Sequence, residues 1–311
     1  MTTEPLYGGN QSRRITTSDL IAAKSRGEKW PMITSYDALS ASVFDEAGIP
    51  VLLVGDSAAM VVYGYDSTIP VTVDDLIPLV AAVERGSSRA MVLADLPFGS
   101  YQRSPAQALE TSVRFMQEGK AHAVKIEGGR HMVETVSLLT QSGVPVMGHI
   151  GLTPQSVHQM GGYKVQGKNK DAAVLMLEQA QACAAAGAQL LVLEAIPSTL
   201  GKKITEAVSI PTIGIGAGPD CSGQVLVLPD MLGISPGKPP KFVKNFMEGK
   251  PSIEAAIKAF VRDVKAGRFP GPEQLALPSC RGGGGAIVGG VTRLVVAEAE
   301  GLESHATPIS R

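Results

Sequence analysis

The sequence predicts an α/β fold, a (β/α)8 TIM barrel with an N-terminal helix and extra C-terminal helices. Eight apolar runs rich in Val, Ile and Leu recur along the chain, helical or helix-length segments separate all but the last two, and several runs end in a charged or hydroxyl residue. Unbroken apolar runs are typical of parallel strands that are covered on both faces. A chain of 311 residues with eight such units fits a closed barrel, and a doubly wound open sheet is the alternative.

The first predicted element is a short amphipathic helix that has Thr16 among its N-cap candidates and ends at Gly27. The predicted strands are 31–37, 51–57, 90–97, 123–129, 144–151, 190–197, 210–218 and 223–232. The predicted helices between them are ALSASVFDEAG, TVDDLIPLVAAVERG, SPAQALETSVRFMQEG, HMVETVSLLTQSG, DAAVLMLEQAQACAAAG and TLGKKITEAVS. The gap between the last two strands is too short for a helix. The segment 241–271 predicts one or two closing helices.

Three parts of the chain differ in composition. Residues 1–15 are predicted to be a flexible N-terminal extension, and 16–272 the catalytic barrel domain. Residues 273–311 form an atypical glycine-rich tail, in which the run GGGG predicts a flexible linker. The stretch VTRLVVAEA within this tail is compatible with a short strand or helix.

The composition indicates which partners to expect. Lys and Arg number 28 against 29 Asp and Glu, so no net field attracts nucleic acid or an anionic membrane. The three cysteines are far apart, which predicts neither disulfides nor a thiolate zinc site. No apolar stretch approaches the roughly 20 residues that span a bilayer, and the first residues lack the apolar segment of a secretory signal. We expect a cytoplasmic protein that acts on small molecules.

Polar residues at the strand ends are the candidate site, because the active site of this fold lies at the carboxyl ends of the strands. These residues are Asp56, Ser57, Asp95, Lys125, Glu127, His149 and Glu194. Three of them, Asp56, Asp95 and Glu127, are hard oxygen ligands, a set that suits Mg²⁺ and leaves positions for water and substrate. The alternative is that each acid caps the following helix. Capping does not require acids on successive strands.

Lys125 and Glu127 are two residues apart on one strand, so their side chains share a face. Either Lys125 binds an anionic substrate oxygen beside the metal, or the two residues form a structural ion pair. Glu194 ends an otherwise apolar strand and is a candidate general base. Its alternative partners are Lys202 and Lys203 on the next helix.

His149 is predicted either to bind a ligand or substrate, or to be a core histidine that backbone groups satisfy.

Two glycine-rich segments also have alternatives. GIGAG, at 214–218, predicts close backbone packing, with phosphate binding as the alternative, and is not a dinucleotide fingerprint. GGYKVQGKNK, at 161–170, is either a mobile basic loop over the site or a solvated loop. Tyr163 and Lys164 belong to this loop.

Several stretches together resemble the ketopantoate hydroxymethyltransferase family, also called 3-methyl-2-oxobutanoate hydroxymethyltransferase. They occur in the family's order and spacing from about residue 16 to 272, and GHIGLTPQSV with GGYKVQG is not a general barrel pattern. The matching stretches are ITSYDALSA, VLLVGDSAAMVVYGYDSTIPVTVDDL, LADLPFGSY, AVKIEGG, GHIGLTPQSVHQMGGYKVQG, AGAQLLVLEAIP, IPTIGIGAG and GQVLVLPDMLG. Family members usually stop shortly after a stretch like FPG, whereas this chain continues to Arg311.

The resemblance implies transfer of a one-carbon unit from 5,10-methylenetetrahydrofolate to 3-methyl-2-oxobutanoate, which gives 2-dehydropantoate for pantothenate synthesis. It also implies Mg²⁺ and a homo-oligomer, typically a decamer. Glu194 matches the position of the family's catalytic base, which would remove the C3 proton to form an enolate that the metal stabilises. The implied metal-site residues are Asp56, Asp95 and Glu127. The implied substrate contacts are Asp56, Ser57, Asp95 and Lys125, and His149 matches a pocket histidine.

Two other functions compete with this one. The first is a Mg²⁺-dependent lyase or mutase of the phosphoenolpyruvate mutase and isocitrate lyase kind, which shares the barrel and the enolate chemistry. Such enzymes usually depend on a loop residue such as a cysteine, whereas Cys183 lies in a helical pattern. The second is a barrel kept only as an assembly subunit, which predicts loss of some of the acids. None is lost.

Overall fold

Eight parallel strands close into a barrel in the computed structural model, which describes residues 5–6 and 13–275. The barrel closes because β1 pairs with β8, with Trp30 opposite Gly223. The strands are β1 Trp30–Thr34, β2 Val51–Val54, β3 Met91–Asp95, β4 Ala123–Glu127, β5 Val146–Gly151, β6 Leu190–Glu194, β7 Thr212–Ile215 and β8 Gly223–Leu226. The predicted barrel is therefore confirmed, and the open-sheet alternative is wrong.

Helices surround the strands in the predicted order. They are α1 Thr17–Ser25, α2 Ala38–Glu46, α3 Ala58–Val61, α4 Val73–Gly86, α5 Pro105–Gln117, α6 Val133–Gln141, α7 Val157–Met160, α8 Lys170–Ala185, α9 Ser198–Ala207, α10 Leu228–Leu232 and α11 Ile253–Lys265. No helix lies between β7 and β8, as the short gap predicts. The last predicted strand is too long, because Leu228–Leu232 is the helix α10. Within 241–271 the described chain forms one closing helix, α11.

Each strand supplies two different cores. Met32, Leu53 and Leu93 join the cluster inside the barrel, whereas Ile33 and Leu52 pack outward against the helices. This alternation follows from the two-residue period of a strand. Burial of each large apolar side chain stabilises the fold by roughly 1.5–3 kcal/mol. Apolar residues therefore fill the lower barrel, and only its carboxyl end is left for polar groups.

The amino-terminal end of the barrel is covered by α1 and by residues before it. Leu6, Ile15 and Leu20 are buried in the same interior cluster as Trp30. Two described residues of the predicted extension are thus part of the core, while 1–4 and 7–12 lie outside the described residues. This end of the barrel is an apolar floor, so access to the interior is from the other end.

The tail from 276 onward, including VTRLVVAEA, lies outside the described residues. Its predicted linker and short element stay predictions. Within the described part of the chain, no helix is long and apolar enough to cross a bilayer.

Asp45, near the end of α2, joins this helix to the start of β3. Its buried carboxylate accepts hydrogen bonds from the backbone N–H groups of Ser88, Arg89 and Ala90, at 2.9, 3.1 and 2.6 Å. We expect Asp45→Ala to lower the free energy of unfolding by about 3 kcal/mol, because buried donors lose their acceptor. Asp37→Ala, which removes the exposed N-cap of the same helix, should cost about 1 kcal/mol. Urea denaturation compares the two, and equal losses would contradict this role of Asp45.

Candidate active site

A cavity of about 930 Å³, including its open mouth, lies at the carboxyl end of the barrel. All seven candidate residues line it. They are Asp56, Ser57, Asp95, Lys125, Glu127, His149 and Glu194. Apolar side chains such as Leu53 and Val192 lie below them. The cavity therefore combines a charged rim with an apolar interior, an arrangement typical of sites for small ligands.

The strand register brings the charged residues together. Asp95 on β3 is the register partner of Lys125 on β4, and Glu127 on β4 is the partner of His149 on β5. Neighbouring parallel strands place partner residues side by side, and the two-residue period turns both Lys125 and Glu127 inward. Four ionisable side chains are thus positioned by backbone pairing.

Lys125 is the cation at the centre of this group. Its Nζ lies 2.6 Å from Asp95 Oδ1 and 3.3 Å from Glu127 Oε1, and the residue is only 4% exposed. Burial alone lowers the pKa of the ammonium, but the carboxylates of Asp95, Glu127 and Asp56 outweigh it and raise that pKa above its usual value. Lys125 is therefore charged at any physiological pH.

His149 lies between two carboxylates. Its Nδ1 is 3.2 Å from Glu127 Oε1, and its Nε2 is 3.2 Å from Glu194 Oε2. Burial and the neighbouring Lys125 lower the pKa of His149, but the two acids outweigh them and raise it to about 9. Burial raises the pKa of Glu127, whereas Lys125 and His149 lower it to about 2. His149 thus contacts two acids and the ammonium of Lys125, whose Nζ lies 3.3 Å from its Nδ1, and no described backbone group bonds its ring, so the alternative of a backbone-satisfied histidine is wrong.

Glu194, at the end of β6, pairs with His149. In the described chain it forms no ion pair with Lys202 or Lys203, so that alternative is wrong. The next residue, Ala195, has a φ of +48°, a left-handed conformation that is strained for a residue with a Cβ. Its N–H donates to Ile215 O at 2.8 Å, which holds this turn in place. The backbone therefore fixes the direction in which Glu194 leaves the strand.

Asp56 and Asp95 form a close acidic pair. The N–H of Asp56 donates to Asp95 Oδ2 at 3.1 Å. Gly55 makes room for this arrangement, because a Cβ at that position would lie 2.7 Å from Ser57 Oγ. Burial first, and then the Asp95 and Glu127 charges, raise the pKa of Asp56 well above its usual range. Burial likewise raises the pKa of Asp95 despite the attraction of Lys125.

Gln155 links the acids and was not predicted from the sequence. Its Nε2 donates to Asp56 Oδ2 at 2.9 Å, and its backbone N–H donates to Glu127 Oε2 at 3.0 Å. Its Oε1 accepts a hydrogen bond of 2.7 Å from the hydroxyl of Tyr101. That hydroxyl in turn accepts from the N–H of Glu127 at 3.0 Å. Only the position of Gln155 within GHIGLTPQSV hinted at a role.

Helix capping does not explain these acids. The hydroxyl of Ser57, which precedes α3, makes no cap hydrogen bond and instead lies 2.9 Å from the Tyr36 hydroxyl. The capping residues of the neighbouring helices are others, Thr72 for α4 and Ser104 for α5. The capping alternative is therefore wrong.

The Asp56 and Asp95 carboxylates suit a divalent cation. They are two of the five carboxylates that line the cavity beside Lys125 and His149, and the other three are Glu127, Glu194 and Asp230. Asp95 Oδ1 is buried without a hydrogen bond, because Lys125 approaches it outside hydrogen-bond geometry. A bound cation would offset the charge of the Asp56 and Asp95 pair. Within residues 13–275, however, no group of three His, Cys, Asp or Glu side chains is arranged to hold a metal.

The two glycine-rich segments behave differently. GIGAG packs closely, because a Cβ at Gly216 would lie 2.8 Å from the Phe242 ring and one at Gly218 would lie 2.6 Å from Ser198 Cβ. The close-packing prediction is thus confirmed. In the 161–170 loop, Tyr163 lines the cavity, and its three lysines are not among the lining residues. The predicted basic contact to substrate therefore has no counterpart in this conformation.

Residues 14–272 match a sequence profile described as ketopantoate hydroxymethyltransferase. The chain belongs to the ketopantoate hydroxymethyltransferase family. It is 58% identical to the 3-methyl-2-oxobutanoate hydroxymethyltransferase of Thermobifida fusca (strain YX), over 85% of this chain and 94% of that one. It is 54% identical to the protein of the same name from Streptomyces coelicolor, over 86% and 92%.

Solved structures of other barrels are similar in fold to this ketopantoate hydroxymethyltransferase family member. A phosphonopyruvate hydrolase superposes with a TM-score of 0.52 at 13% identity, over 86% of this chain and 92% of that one. A phosphoenolpyruvate phosphomutase from Streptomyces platensis gives 0.52 at 14% identity, over 82% and 89%. At this identity the likeness concerns the fold alone. The cysteine considered for the lyase or mutase alternative, Cys183, is buried in the helix α8 and does not lie in a loop.

The role of Lys125 as the central cation can be tested by its removal. We expect Lys125→Met to lower the free energy of unfolding by about 3–5 kcal/mol, because it leaves Asp95 and Glu127 buried without their counter-ion. Denaturation in EDTA measures this without help from an added metal. Lys241→Met, at an exposed position, is the control and should change little. Equal stability of the two variants would contradict the proposed electrostatic role.

Proposed function

We propose that this protein transfers a hydroxymethyl group to 3-methyl-2-oxobutanoate and forms 2-dehydropantoate, a step of pantothenate biosynthesis. The one-carbon donor in this proposal is 5,10-methylenetetrahydrofolate, and Mg²⁺ is the required metal. Membership of the ketopantoate hydroxymethyltransferase family supports the reaction. The observation that carries the proposal for this chain is that one cavity contains Glu194, Lys125 and the Asp56–Asp95 pair.

The keto acid binds with its charged end toward Lys125. The ammonium attracts the substrate carboxylate and the developing negative charge on the keto oxygen, and Ser57 offers a hydroxyl nearby. The branched alkyl end is then directed toward the apolar interior, where Leu53 and Val192 line the cavity. The charged rim and the apolar interior thus orient the substrate.

Asp56 and Asp95 would hold Mg²⁺, which when bound supplies Lewis acidity to the keto acid. Glu127 belongs to the same acidic group, but Lys125 and Gln155 already donate to its two oxygens. We therefore propose that Glu127 stabilises Lys125 and His149 and interacts with the metal site through its charge.

Glu194 is the proposed general base. Its carboxylate removes the proton from C3 of the keto acid, and the electron pair of that C–H bond moves into the enolate. His149 Nε2 lies 3.2 Å from Oε2 of this carboxylate, and no described group donates to Oε1. Oε1 is therefore available for the C3 proton. Lys125 faces the opposite, oxygen side of the enolate and stabilises its charge.

Carbon–carbon bond formation follows proton removal. The methylene carbon of the donor is bonded to two folate nitrogens; water adds to this carbon and both C–N bonds break, which gives tetrahydrofolate and formaldehyde. The enolate carbon C3 then bonds to the formaldehyde carbon, and the proton on Glu194 passes to the oxygen, which becomes the hydroxyl group of the product. The predicted homodecamer and cytoplasmic location rest on the resemblance and the composition, and they stay predictions.

Proton exchange at C3 tests the role of Glu194 before any folate is added. In D₂O with Mg²⁺, the C3 proton signal of 3-methyl-2-oxobutanoate should disappear in the presence of the protein. Glu194→Gln should slow this exchange by about 10²–10⁴-fold, because the base is lost. Glu206→Gln, at an exposed position on α9, is the control. Exchange by Glu194→Gln at the wild-type rate would refute Glu194 as the base.

The metal dependence of the same exchange tests the Asp56–Asp95 pair. EDTA should abolish exchange, and Mg²⁺ should restore it. Asp56→Asn should raise the Mg²⁺ concentration for half-maximal exchange by more than about tenfold, since a neutral amide is a weaker ligand than a carboxylate. Asp66 is an exposed acid, and Asp66→Asn should leave the Mg²⁺ concentration for half-maximal exchange unchanged. Full exchange in EDTA would mean that the reaction needs no metal.

A further inference from the structure

The cavity has a second side that the keto acid chemistry does not use. Beyond Glu194, the ends of β7 and β8 and the chain after α10 contribute Val227, Asp230, Pro240 and Phe242 to its lining. None of these residues contacts the Lys125 and Asp95 group through a hydrogen bond or ion pair among the described residues. The cavity is thus lined by more residues than the keto acid chemistry uses.

Asp230 is the polar group of this side. It belongs to α10 and is 7% exposed. Its Oδ1 accepts a hydrogen bond of 2.5 Å from Ser235 Oγ, while Oδ2 has no donor in the described part of the chain. Burial raises the pKa of Asp230 to about 6, and the nearby charge of Glu194 adds to this effect. Ser235 thus holds one oxygen of the carboxylate, and the other oxygen has no described donor.

Phe242 provides an aromatic surface in the lining of the same cavity. Its ring packs directly against Gly216, where a Cβ would lie 2.8 Å from the ring. Gly216 also has a φ of +67°, so a larger residue is excluded there on two grounds. Val227 and Pro240 add rigid apolar surface to the lining. This side of the cavity therefore offers an aromatic side chain together with apolar surface.

The ligand that fits has adjacent N–H donors on a planar ring. A carboxylate pairs best with two parallel N–H groups, and an aromatic side chain packs against a flat heterocycle. The 2-amino-4-oxopyrimidine edge of a pterin presents such a pair of N–H groups. The keto acid offers only oxygen acceptors and a negative charge, so Asp230 repels it. The two sides of the cavity thus favour different ligands.

We propose that Asp230 and Phe242 form the binding site for the pterin ring of the one-carbon donor, with the carboxylate accepting the paired pterin N–H groups. This inference rests on the proposed function, since it identifies the site for its second substrate. Asp230 and Glu194 line the same cavity. A pterin on Asp230 would therefore share the cavity with the carbon from which Glu194 removes the proton, as transfer of the one-carbon unit requires.

Calorimetric titration with tetrahydrofolate tests the site directly. Asp230→Asn should raise the Kd for tetrahydrofolate and the KM for the methylene donor by about 10- to 100-fold, because an amide NH₂ opposes a pterin donor. Asp230→Asn should weaken the binding of a tetrahydropterin without the glutamate tail by the same factor, since the contact is to the ring. Metal-dependent C3 exchange, which needs no folate, should fall by a much smaller factor than the affinity for tetrahydrofolate does.

Two further variants guard against misfolding of Asp230→Asn. Ser235→Ala removes only the hydroxyl that holds Asp230. Phe242→Leu removes the aromatic ring. Each variant should weaken tetrahydrofolate binding by at least about threefold. Asp171→Asn, at the exposed start of α8, should change neither the affinity for tetrahydrofolate nor the rate of C3 exchange. Unchanged tetrahydrofolate affinity in these variants would overturn the site, as would a loss of exchange equal to the loss of affinity. Tight binding by a wild type that catalyses no exchange or transfer would instead support the site and refute the proposed function.

Discussion

The buried ammonium of Lys125 is the interaction on which the polar end of this barrel depends. It touches Asp95 and Glu127, and Glu127 in turn holds His149. Without that cation, several carboxylates would lie in a largely water-excluded space with no counter-charge, a costly arrangement. The cation permits an acidic cluster that retains surplus negative charge. This surplus agrees with the proposed binding of a divalent metal together with an anionic keto acid.

The two ends of the barrel divide stability from chemistry. At the amino-terminal end, Trp30 and its apolar neighbours, with Leu6 and Ile15, form a closed floor. At the carboxyl end, the same inward positions carry charge. Each strand contributes residues to both ends of the barrel. The favourable free energy of burying the apolar floor therefore offsets the free-energy cost of burying the polar rim. The left-handed turn at Ala195 is a local strain of the kind that a well-packed barrel tolerates.

Around its circumference the cavity also has two chemically distinct halves. The β2 to β5 side is ionic, through Asp56, Asp95 and Lys125, whereas the side after β7 combines Phe242 with the single carboxylate of Asp230. The proposed reaction, which joins an anionic keto acid to a carbon borne on a heterocycle, would use these two environments together. Glu194, on β6, lies between them. This position agrees with its proposed role as the base.

The sequence by itself determined the eight strands, the missing helix between β7 and β8, and the seven polar strand ends, because strand period and apolar runs are local properties. It also carried the family motifs. Only the tertiary structure decided the partners of these side chains. His149 pairs with Glu127 and Glu194, Gln155 bridges to Asp56, and Asp230 faces the same cavity. These contacts join residues far apart in the chain, and barrel closure and register, which depend on all strands at once, bring them together.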